Sequence, residues 1–192
     1  MLGKVLIGLT LAWGLGLPAS AACLAEGQVP RTVDFGDGQV VRNIQVRDGL
    51  LIYESEAGGQ QTYSEVRFGL YPEVMRRGDT ENRFDWTGQV LIPAADLPLG
   101  QEVEVRAKMS GAASGDYVMA VTNLGTETFA LGECSYSVIH LGFRQGEAGA
   151  PVMRGDRRID PARFITFQHE FTTLDKDGSP LRTFGTRARS VD

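Results

Sequence analysis

Few residues in this chain can do chemistry, and they lie far apart. The 192 residues include two histidines, His140 and His169, and two cysteines, Cys23 and Cys134. Each histidine falls in an apolar-rich, alternating segment, and His169 lies between Phe167 and Phe171. In that setting an imidazole is ordinarily a core group bonded to a backbone carbonyl. If the two strands were neighbours, the rings could meet and a carboxylate could complete a metal site. A structural zinc asks for four ligands, however, and no cluster of Cys and His has finger-like spacing. No metal and no cofactor is therefore expected. A serine nucleophile is equally unsupported: Gly-x-Ser-x-Gly is absent, and Ser114 in Ala113-Ser114-Gly115-Asp116 reads as a turn residue.

Carboxylates and arginines are more numerous but less specific. Glu54 and Glu56 share one strand parity, with Glu65 on the following segment, which is the pattern of a solvated sheet face. Arg154, Arg157, Arg158 and Arg163 could gather into an anion-binding patch. Asp156 and Asp160 are interleaved with them, so local ion pairing is the simpler expectation.

The cysteines carry the sharpest information. Lys4 precedes an apolar run over residues 5–17, and Pro18 with small residues follows up to Cys23. That is the layout of a secretory signal peptide over residues 1–22, leaving residues 23–192 as one all-β domain. In an oxidising compartment, Cys23 and Cys134 are expected to form a disulfide. The alternative is a lipid anchor on Cys23. It is weakened by Ser20 standing where a lipobox carries a Leu-like residue. The expected location is the periplasm or the exterior, or a membrane leaflet if the anchor forms.

Net charge is -5, which offers no electrostatic case for nucleic acid as a partner. No apolar stretch beyond the signal region is long enough for a transmembrane helix.

The elements that must position these residues repeat with a period of two. Residues 39–47 alternate after a Gly36-Asp37-Gly38 turn, Asp48-Gly49 makes a hairpin turn, and Val66, Phe68 and Leu70 continue the alternation up to Pro72. Residues 102–109 alternate most cleanly. Segments 117–121 and 126–131 read as a hairpin joined through Asn123-Leu124-Gly125, and residues 135–143 and 164–174 as further strands. Residues 154–163 read as an Arg/Asp segment, with a short helix possible over 158–164. About ten short strands at this spacing predict an antiparallel β-sandwich or β-barrel.

On this reading the chain is an exported, non-catalytic envelope module acting in binding or structure, with an envelope protein or a small ligand as partner. The rival is a small-ligand binder with Trp86, Tyr117, Tyr136, His140 and His169 as candidate lining. A hydrolase using His140 or His169 as base comes third.

Overall fold

A computed structural model describes residues 23–36, 38–147 and 150–192. The expected signal peptide and Asp37 of the first turn lie outside the described residues. Thirteen strands form one antiparallel sheet in meander order. The first six are β1 (Thr32–Gly36), β2 (Gln39–Arg47), β3 (Leu50–Ala57), β4 (Gln60–Arg67), β5 (Tyr71–Arg77) and β6 (Thr80–Asp85). A loop with a short 3-10 helix (Ala94–Asp96) leads to β7 (Glu102–Gly111), β8 (Gly115–Leu131) and β9 (Cys134–Glu147). The last four are β10 (Ala150–Asp160), β11 (Ile165–Leu174), β12 (Pro180–Arg187) and β13 (Ser190–Val191).

The sheet curls until its first strands face its last ones. Phe35 of β1 and His169 of β11 stand ten places apart in strand order, yet their ring centroids are 6.4 Å apart. The turn after β4 meets the turn after β10, with the rings of Phe68 and Phe164 5.8 Å apart. Gly69 fits there because a Cβ on it would lie 2.0 Å from the Phe164 carbonyl oxygen, and its φ of 68° suits glycine.

The ladder itself stays open, since β12 and β13 do not pair with each other. Both edges nevertheless belong to one continuous stretch of chain. After β12, the Ala188 N–H donates to the Phe167 carbonyl of β11 (2.7 Å), and the Arg189 N–H donates to the Asp34 carbonyl of β1 (2.7 Å). β13 then pairs with β1, so the C-terminal residues span the seam.

Two apolar clusters fill the interior. One joins Val33, Phe35, Ile44, Leu51, Phe129, Tyr136 and Phe167; the other joins Leu70, Tyr71, Phe84, Trp86, Met119, Leu141 and Ile159. Leu97 and Ala94, from the loop between β6 and β7, pack on the second cluster.

The N-terminal segment is fastened to the first cluster. Cys23 is bonded to Cys134, and the Leu24 N–H donates to the Tyr136 hydroxyl (3.2 Å). Because the Cys23 sulfur is committed to that bridge, it has no thiol left for a lipid thioether. Arg163 adds a second tie, donating to the Gln28 carbonyl from Nε (2.7 Å) and to the Ala25 carbonyl from Nη2 (2.6 Å).

Three local expectations are corrected. Residues 117–131 form one strand, not a hairpin, because Asn123-Leu124-Gly125 is a bulge: the Asn123 side chain accepts from the Gly125 N–H (2.9 Å) and donates to the Leu97 carbonyl (3.0 Å). The alternation from Val66 does not run on to Pro72; the chain turns at Phe68-Gly69, and Pro72 sits inside β5. The Arg/Asp segment is strand β10 over most of its length, and residues 158–164 hold no helix.

Candidate functional site

An interior cavity of about 420 Å³ lies where the two apolar clusters meet. That volume falls in the range of small-ligand sites. Ten strands contribute to its wall, from Phe35 on β1 round to Phe171 on β11. Val41, Ile44, Leu51, Leu70, Phe84 and Ile165 make most of it apolar. Alternation builds this wall, since successive side chains of a strand point to opposite faces and one parity of each strand therefore turns inward.

The cavity has a rim and a floor, set by the meander. Gln39, Met75, Gln145 and Met153 lie toward the turns that join β1 to β2, β5 to β6 and β9 to β10. Gly69, Leu70 and Ile165 lie at the opposite turns, where the Phe68 and Phe164 rings meet.

Polar groups enter the wall on seven of these strands, with the one charge, Arg157, on β10 and the imidazole of His169 on β11. In the β9–β10–β11 ladder, Leu141, Arg157 and His169 stand in one cross-strand row, and Phe143, Gly155 and Phe171 in another. Gly155 has no side chain to fill its place between the two phenyl rings. The Arg157 guanidinium lies over the Phe143 ring at 4.5 Å from its centroid, in a cation–π contact. A Cβ at Gly155 would come within 2.0 Å of the Glu170 carbonyl oxygen, so the backbones of β10 and β11 approach too closely there for any other residue.

Arg157 is an uncompensated charge. Among the described residues it has no ion pair and no hydrogen bond; its contact is the face of Phe143. It is only half-buried by accessible area because its remaining surface lines the cavity, but protein surrounds it closely enough to strip solvent from the charge. Burial therefore lowers its pKa, with the Tyr117 and Tyr53 hydroxyls opposing that shift.

His169 stands between the Phe35 and Phe171 rings, and its Nε2 lies 3.2 Å from Thr186 Oγ1. Burial, and then the Arg157 charge, push its pKa down to about 4, so the ring is neutral at physiological pH. So depressed, it is a weak general base at neutral pH. Tyr117 packs edge-on to Phe84 and Trp86, and burial pushes its hydroxyl up to about 12.

Of the candidate lining residues, the structure brings Tyr117 and His169 into the cavity wall. Trp86 stands behind Tyr117 and donates its indole N–H to the Pro72 carbonyl (2.7 Å). Tyr136 packs against Phe167 in the first cluster. His140 lies off the wall, with Nε2 3.3 Å from Asp156 Oδ1.

The four arginines read as a possible patch diverge. Arg158 pairs with Glu127 (2.8 Å), Arg163 pairs with buried Asp160 (2.5 Å), Arg154 is exposed, and Arg157 turns inward. The sequence reading missed Arg157 as a cavity residue. The signal for it is the shared parity of Met153, Gly155, Arg157 and Ile159, visible once residues 150–160 are read as a strand.

Among the described residues no group of three His, Cys, Asp or Glu side chains stands close enough to hold a metal ion. None of their helices is long and apolar enough to cross a membrane. No family model matches the chain, and neither a curated protein nor a solved structure does.

Proposed function

We propose that this is an exported protein that binds a small, largely apolar molecule in the interior of its curled sheet, without transforming it. The carrying observation is the cavity: a mostly apolar wall gathered from ten strands, with one charged side chain, Arg157, and a minority of neutral polar groups set into it. Such a combination marks small-molecule sites, where apolar area supplies affinity and a few polar groups fix orientation. The signal-like first 22 residues and the Cys23–Cys134 bridge support export to an oxidising compartment.

The experiment is a titration of the purified disulfide-bonded protein with N-phenylnaphthylamine, whose emission rises in apolar surroundings. The expected result is saturable enhancement that is lost on filling the cavity with Ser64→Phe or, separately, Ser55→Phe. Near-ultraviolet circular dichroism checks that each variant folds. No saturable signal, or an equal signal in folded variants of both kinds, overturns the proposal.

A further inference from the structure

We propose that the ligand is a singly charged carboxylate amphiphile, with its head group held by Arg157 and its chain running along the apolar wall toward the rim at Met75, Gln145 and Met153. This rests on the cavity being a binding site. It adds the chemical class of what binds and the direction in which it lies.

The first support is a set of unused hydrogen-bonding groups. The Arg157 guanidinium and the hydroxyls of Tyr53 and Tyr117 all belong to cavity-lining residues, and none has a hydrogen-bond partner among the described residues. Removing a charge from water without a partner is costly. Phe143 recovers only part of that cost, because one cation–π contact is weaker than a charge-assisted hydrogen bond. A bound anion would supply the missing interactions, and a guanidinium fork matches the two oxygens of a carboxylate.

The second support is the charge count. Arg157 brings one positive charge to the wall, and the lining contains no Lys, Asp or Glu. With His169 neutral near pH 7, no second cation is present. A monoanion balances the site, whereas a dianionic head group would bring an unmatched negative charge into an apolar cavity.

The third support is placement. Arg157 lies four residues along β10 from the rim residue Met153, about 13 Å at the rise of an extended strand. The wall between carries Phe143 and Phe171. A head group at Arg157 thus leaves a chain to run past aromatic surface and two flexible methionines, Met75 and Met153, which adapt to variable apolar shapes.

The test measures binding of decanoate, decanol and decylamine to the wild-type protein by calorimetry at pH 7, and then to Arg157→Met and Arg157→Lys. The expected result is decanoate binding at least about tenfold more tightly than decanol, as a charge-assisted hydrogen bond to a desolvated guanidinium implies. Decylamine should be weakest. Arg157→Met should erase the preference for carboxylate while decanol still binds. Arg157→Lys should keep the sign of the preference but reduce it. The wild-type comparison stands even if a variant fails to fold. Equal binding of decanoate and decanol to wild type overturns the head-group assignment and leaves the cavity reading intact. Failure of all three ligands to bind overturns both.

Discussion

Arg157 and His169 are directly opposed across the β10–β11 ladder, both line the cavity, and burial, reinforced by the Arg157 charge, keeps the proton off His169. The arrangement sets a pH dependence. An unfolded chain protonates His169 near 6.5, but the folded chain resists until about 4. Between those values the unfolded state binds the extra proton, so stability falls as pH drops from about 6.5 to about 4 and levels off below. This histidine's share is at most about 3 kcal/mol. Urea unfolding at pH 7 and pH 5 should show the loss in wild type and a smaller one in His169→Leu. Equal losses in both would show that the ring is not held neutral.

The unpartnered guanidinium also predicts a conflict between binding and stability. Replacing Arg157 by Met removes a desolvated charge and keeps most of the side-chain volume. By analogy with buried ion pairs replaced by apolar residues, the ligand-free protein should gain about 1–4 kcal/mol. For a chain of this size that raises Tm by at least about 2 °C. Thermal unfolding of protein stripped of ligand by refolding from denaturant measures it. An unchanged or lower Tm would mean that the charge is well solvated in the free protein.

The bridge closes a long loop, since Cys23 and Cys134 are 111 positions apart. Loop-closure entropy assigns about 4–5 kcal/mol to such a link. Cys23→Ser with Cys134→Ser should lower the free energy of unfolding by that order in denaturant titration. A loss below about 1 kcal/mol would show that Arg163 alone secures the N-terminal segment.

Arg163 offers the complementary test. Its side chain is 7 % exposed, pairs with Asp160 at 2 % exposure, and donates to the carbonyls of Ala25 and Gln28. Arg163→Met would strand a buried carboxylate and leave both carbonyls without their donor, at a cost of about 3–5 kcal/mol. Limited proteolysis should then cut near Ala25 faster than in wild type, even with the disulfide intact. Unchanged cleavage would show that the bridge holds the segment unaided.

The architecture was legible wherever alternation was clean. Residues 39–47, 102–109 and 164–174 read as strands because their two faces differ in polarity, and the pairing of Cys23 with Cys134 followed from a thiol pair behind an export signal. Strand β10 was not legible as a strand, for a physical reason. One parity of it carries Met153, Gly155, Arg157 and Ile159, so the apolar pattern is interrupted by a glycine that the close approach of β11 requires and by an arginine that lines the cavity. Residues 117–131 misled in the opposite way, since Asn123 and Gly125 carry turn chemistry that the fold uses for a bulge. Tyr117 and His169 were singled out among the aromatic and imidazole side chains, but nothing local distinguishes them from Trp86, Tyr136 or His140. Which of these face the cavity depends on how the sheet curls, and that is set by contacts distant in sequence such as Phe35–His169 and Phe68–Phe164.

The most direct test of the interior site is a crystal structure of the protein with a terminally brominated decanoate. Bromine density is expected inside the sheet on the rim side, near Met75 and Met153, with the carboxylate on the Arg157 guanidinium. Bromine found only on the outer surface, or an empty cavity under saturating ligand, would contradict it.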